Sequence, residues 1–101
     1  MSATTIIGHI AAGHAKGADG KSKIKCADGF SMSVIAGPGV YGDGVDAVEV
    51  GYPSEVDESL MPYCEDPTRP TKTVYVYVPI IIAQAVIDRH NAQQGGTNAS
   101  R

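Results

Sequence analysis

At 101 residues, with a formal net charge of −3 and 43% hydrophobic residues, the chain has the size of one domain with a single core, which excludes a two-domain enzyme. No apolar run approaches the roughly 20 residues that span a bilayer, and no basic region or cleavage site accompanies the short apolar patch 6–12, so no membrane partner or signal peptide is expected and the cytoplasm is the expected location. Lys and Arg are absent between Cys26 and Thr68, whereas that span carries nine carboxylates: Asp28, Asp43, Asp46, Glu49, Glu55, Asp57, Glu58, Glu65 and Asp66. Such a block repels nucleic acid and attracts basic partners, or serves only as a solvated acidic rim.

In chain order, Ser2, Thr4 and Thr5 are candidate N-caps of a short helix with Ile6, Ile7, Ile10 and His14 near one face. Gly17 and Asp19-Gly20 end it. From Ser22 the period changes to two, and Asp28-Gly29 sits between "SKIKC" and "FSMSVIA" as a type I′ hairpin turn would, with Phe30, Met32 and Val34 on the apolar side. In "GPGVYGDGVD" the residues Gly37, Gly39 and Gly42 stand in the G-x-G-x-x-G order of a dinucleotide turn. That turn needs a helix directly after it to hold the pyrophosphate. Here "DAVEV" follows and alternates as a strand, so a hairpin loop and no cofactor are expected, with Val48, Val50 and Tyr52 on one side and Pro53 as the stop.

The long connection after Pro53 offers Leu60, Met61 and Tyr63 as core anchors. "TVYVYV" reads as the strongest strand, with Val74, Val76 and Val78 facing inward and Thr73, Tyr75 and Tyr77 outward. Pro79 fits the first turn of a helix in which Ile82, Ala85, Val86 and Arg89 form a face, Ile80, Ile81 and Ile87 widen the apolar belt, and Gly95 and Gly96 mark the end. The order α-β-β-β-β-α predicts an α+β fold: a four-stranded, mainly antiparallel sheet with the N-terminal and C-terminal helices packed on one face. One domain is expected over residues 1–94 and a flexible tail over 95–101.

No catalytic or metal site follows from spacing. His9 and His14 lie about 140° apart on a helix and do not share the i, i+4 face of a two-histidine site. His90, near a helix end, favours the dipole when protonated. Cys26 and Cys64 are too far apart for a C-x-x-C pair and too few for a structural zinc, and read as buried free thiols. The acidic loop lacks an apolar pocket to drive carboxylate pKa values apart, so the protein is expected not to be an enzyme. The residues expected to meet a partner are Tyr41, Asp43, Asp46, Glu55, Asp57, Glu58, Tyr63, Glu65 and Asp66, with Tyr52 as a further aromatic anchor. Tyr75 and Tyr77, on an open sheet face, are candidates for self-association into a homodimer.

Together "ADGFSMSVIAG", "VEVGYPSE", "LMPYCEDPTRPTKTVYVYVP" and "VIDRH" resemble a group of small uncharacterised proteins encoded by bacteriophages and prophages, over roughly residues 27–90. The resemblance implies a phage-type accessory protein, a class that includes inhibitors of host enzymes and of defence systems, anti-CRISPR proteins among them. It assigns no activity to any residue. The expectation is a non-catalytic protein that binds and inhibits a host protein with a basic surface, through its acidic loops and without direct contact to nucleic acid. The alternatives are an assembly protein paired through its tyrosine face, or a small-ligand sponge with Lys21, Lys23 and Lys25 facing an anion.

Overall fold

The computed structural model describes residues 5–16 and 21–95. Helix α1 (Ile6–Ala11) and a 3₁₀ turn (His14–Lys16) precede strands β1 (Lys23–Lys25), β2 (Ser31–Ile35) and β3 (Ala47–Gly51). A second 3₁₀ turn (Met61–Tyr63), strand β4 (Val74–Pro79) and helix α2 (Ile80–Gly95) complete the order. The strands form one antiparallel sheet in the order β1-β2-β3-β4, as the alternation predicts. Both helices pack on the same face, where Ile6 of α1 and Ala83, Val86 and Ile87 of α2 join Phe30, Met32, Val34, Val48, Val50 and Val78 in one core. Each of the larger aliphatic or aromatic side chains contributes about 1.5–3 kcal/mol by leaving water. Among the described residues, no helix is long and apolar enough to cross a membrane.

Thr5 caps α1, accepting from the Gly8 amide at 3.0 Å. Ser2, Thr4, the predicted stop at 17–20 and the tail from 96 onward lie outside the described residues. The buried face of α1 is Ile6 and His9, and Ile7 is exposed. The β1–β2 hairpin forms, but not around a type I′ turn. Gly29 alone in the turn takes a positive φ, at 97°, while the Gly29 amide bonds to the Cys26 carbonyl at 3.0 Å and the Cys26 amide to the Phe30 carbonyl at 2.7 Å. That is a turn closed three residues on with glycine at the bulge position. At the end of β3 the chain leaves extended geometry: Tyr52 has φ 50° and turns its ring to solvent instead of following Val48 and Val50 inward.

The larger departure is in β4. Val48 opposes Val78 but Val50 opposes Tyr75, so Val76 and Tyr77 together face the single residue Glu49. This β-bulge, with Tyr77 at φ 52°, slips the alternation by one residue. Tyr75 is therefore buried, not outward, and it donates its hydroxyl to the Pro70 carbonyl at 2.6 Å. Val74 and Val76 are only half-buried, and of the predicted valine row Val78 alone is in the core. The long connection anchors as expected, through fully buried Leu60 and half-buried Met61 and Tyr63. It also covers the outer edge of β4: Glu65 donates its amide to the Val74 carbonyl at 3.0 Å, and Cys64 bridges to Tyr75. Further along, the Tyr77 amide donates to the Tyr41 carbonyl at 2.9 Å. In α2 the buried face is Ala83, Val86, Ile87 and His90, its centre one position beyond the predicted face: Val86 and Ile87 are buried as expected and Ile82 is half-buried, whereas Ala85 and Arg89 are exposed. Pro79 closes β4 directly before the helix.

Candidate functional site

The glycine loop explains itself without a nucleotide. Gly37 and Gly39 have φ 126° and 85°, conformations that favour glycine. At Gly42 a Cβ would stand 2.5 Å from the Val48 Cα, closer than any side chain allows, so this glycine lets the loop lie on β3. Asp43 then folds its carboxylate back onto the amides of Val45, Asp46 and Ala47 at 2.8, 3.0 and 3.3 Å. Those three amides lower its pKa. They are the donors a phosphate would want, and the protein's own carboxylate occupies them.

The same loop builds a surface patch. Tyr41 donates its amide to Glu49 Oε1 at 3.0 Å and accepts the Tyr77 amide on its carbonyl. The two phenol rings meet edge to face, with centroids 5.8 Å apart and planes at 71°, an arrangement aromatic pairs prefer. Tyr41 and Tyr77 are nevertheless 51% and 59% exposed, and Val45 and Asp46 of the same loop are also exposed. Of the two tyrosines predicted on the sheet face, only Tyr77 is available at the surface.

The acidic block does not act as one surface. Asp66 is engaged by Thr68 and by Arg69 at 3.4 Å, and Tyr63 packs against the core. Asp57, expected at the surface, is 7% exposed and sits at the centre of a buried network. Glu55, Glu58 and Glu65 remain exposed, as does Asp46.

The network around Asp57 is a feature that sequence reasoning missed. His90 projects from the buried face of α2 with both ring nitrogens against carboxylates: Nδ1 is 2.7 Å from Asp28 Oδ2 and Nε2 is 3.1 Å from Asp57 Oδ2. The ring lies parallel to Phe30, with centroids 3.9 Å apart and planes at 7°. Arg89 reaches the same Asp57 oxygen at 2.5 Å, while Ser59 bonds Asp57 Oδ1 through its hydroxyl (2.6 Å) and amide (3.0 Å). Asn91 accepts the Ala27 amide at 2.7 Å, tying the hairpin turn to the same helix. Burial opposes the imidazolium, but the hydrogen bonds and charges of Asp28 and Asp57 outweigh it and raise the His90 pKa. Burial likewise opposes the Asp57 carboxylate, yet Ser59, Arg89 and His90 push it down to about 2. An imidazolium that donates to two carboxylates is a structural cross-link, with no lone pair left to accept a proton. Its sequence signal was the spacing of Ala83, Val86, Ile87 and His90, which puts His90 on the buried stripe.

The remaining titratable groups are placed by packing. His9 donates from Nε2 to the Val34 carbonyl at 2.9 Å, and burial lowers its pKa. Cys26 is buried and its thiol is pushed up to about 11 by burial and by Asp28; Cys64 is half-buried, and both are free. On β1, Lys23 and Lys25 point away from the buried Ile24. Between the two helices, Thr5, Ile7, Ile80, Ile81, Gln84, Ala85 and Asp88 line an open, partly apolar groove. Comparison of the chain with protein-family models, with curated proteins and with solved structures gives no match.

Proposed function

We propose that the protein is a non-catalytic binding protein that docks on a basic surface of a partner protein through the patch formed by Tyr41, Val45, Asp46, Glu49 and Tyr77. The observation that carries this reading is the edge-to-face tyrosine pair, more than half exposed and fixed by backbone hydrogen bonds. Tyrosines held in this way offer rigid, amphipathic contact area with little conformational entropy left to lose on binding. Tyr77 also keeps a left-handed backbone conformation that costs an L-residue about 1–2 kcal/mol, and strain of this kind concentrates at functional surfaces. Asp46 and Glu49 supply the charge that steers a basic partner. In keeping with the resemblance to phage accessory proteins, we read the partner as a host protein, the compartment as the host cytoplasm and the outcome as inhibition.

The test is affinity capture from a bacterial lysate with the tagged protein, the Tyr41→Ala/Tyr77→Ala double variant and the Asp46→Asn/Glu49→Gln double variant, after circular dichroism has established that all three fold. A partner held by this patch is lost from both variants and is released from the wild type at about 0.5 M salt, where the Debye length falls below about 5 Å. Equal recovery of the same proteins by all three refutes the assignment.

A further inference from the structure

At the other end of the molecule, and independent of the docking patch, one donor atom from each of Asp28, Glu55 and His90 lies within 4.8 Å of the other two. The three residues come from the β1–β2 turn, the long connection and α2, and share no local spacing in the chain. We propose that Asp28, Glu55 and the Nδ1 atom of His90 bind a divalent transition-metal ion of the Zn²⁺ class.

His90 carries this assignment more than the acids do. It is 6% exposed and its ring is stacked on Phe30, so its direction is fixed. Its far nitrogen, Nε2, donates to Asp57, which is itself held by Arg89 and Ser59. A carboxylate on the nitrogen remote from the metal is the usual way a protein orients a ligating imidazole and increases its basicity. Nδ1 points instead at Asp28, toward the side where Glu55 stands. One imidazole with two carboxylates is a donor set for borderline ions, not for Mg²⁺, which prefers oxygen alone.

Charge points the same way. The carboxylates of Asp28, Glu55 and Asp57 outnumber the cations Arg89 and protonated His90 by one. When Nδ1 gives its proton to water and forms a bond to a doubly charged ion, the cluster becomes neutral. Donors around a tetrahedral ion are roughly 3.4 Å apart, so Nδ1 and Asp28 Oδ2, now 2.7 Å apart in a hydrogen bond, part as the proton leaves, while the more distant donors, up to 4.8 Å apart, close in. Glu55 and Asp28 are both exposed, so the adjustment falls on surface side chains and leaves the buried His90 in place.

Isothermal titration of the full chain with ZnCl₂, and separately with MgCl₂, tests this, using Glu55→Ala and the neighbouring Glu58→Ala as a control for general acidity. The expected result is one Zn²⁺ per chain, binding at least about tenfold weaker in Glu55→Ala, unchanged binding in Glu58→Ala, and Mg²⁺ much weaker than Zn²⁺. Imidazole nitrogen NMR then shows the His90 Nδ1 resonance moving while those of His9 and His14 stay in place. The proposal is overturned by an absence of saturable Zn²⁺ binding, by equal losses in the two variants, by Mg²⁺ binding as tightly, or by Zn²⁺ that leaves the His90 resonances unmoved.

Discussion

Replacing Asp57 by asparagine removes one negative charge from the His90 network while keeping the side chain's size. Asp57 takes Arg89 and His90 on one oxygen and Ser59 on the other, and its pKa is pushed down to about 2. An aspartate in an unfolded chain titrates near 3.9, and each tenfold change in acidity corresponds to about 1.4 kcal/mol. The charged form therefore stabilises the fold by about 2.5 kcal/mol above pH ~5, a contribution that falls to about half by pH 3 and is lost as pH drops through about 2. His90 has the opposite sign: its raised pKa stabilises the fold fully below about 6.5, and the contribution is lost as pH rises through the higher folded value. The network is thus strongest between about pH 5 and 6.5. The substitution also turns a carboxamide NH₂ group toward side chains that are themselves donors. Urea denaturation at pH 6, with a chelator present, is expected to show Asp57→Asn less stable by about 2–3 kcal/mol, with a thermal midpoint lower by on the order of 10–15 °C. A difference below about 0.5 kcal/mol, or one that does not shrink between pH 6 and pH 3, refutes the reasoning.

Three further outcomes follow from the geometry. Gly42→Ala drives a Cβ into the Val48 backbone and is expected to cost on the order of 3 kcal/mol in denaturant melts; a loss under about 1 kcal/mol means that the loop does not rest on β3. Tyr52→Gly relieves a left-handed residue whose ring is 60% exposed and is expected to raise stability by about 0.5–1 kcal/mol, so a clear destabilisation counts against that conformation. Thiol titration with a disulfide reagent at pH 8 is expected to label Cys64 well before Cys26, whose pKa near 11 and burial suppress the thiolate; equal rates contradict the packing around Cys26.

The sheet was legible in the sequence because "SKIKC", "FSMSVIA" and "DAVEV" alternate cleanly and each is closed by a strong turn or stop. The inner and outer faces of β4 were not. "TVYVYV" alternates two residue types that both suit a core, and the choice is made by remote partners: the Pro70 carbonyl for the Tyr75 hydroxyl and the Tyr41 carbonyl for the Tyr77 amide. Three consecutive isoleucines at 80–82 blur the phase of α2 in the same way, which moved its predicted face by one residue. For the candidate sites, the exposure of Tyr41 and Asp46 was readable from a glycine-rich loop. The fate of Asp57 was not, because its cations, Arg89 and His90, lie 32 and 33 residues away in the chain. Charge counting along the sequence assigned to a surface what the fold spends on a cross-link.

The cover that residues 64–65 place on the start of β4 has a consequence for how the molecule can meet others. The backbone of Val74 and Tyr75, at the start of the strand, is engaged there by Glu65 and Cys64. The opposite border of the sheet is β1, three residues long and carrying the charged side chains of Lys23 and Lys25, a pair that discourages strand addition. Each border of the sheet thus carries a device that works against the addition of a further strand. Strand addition is disfavoured at both borders, which leaves side chains, as in the patch of Tyr41 and Tyr77, as the favoured means of recognition.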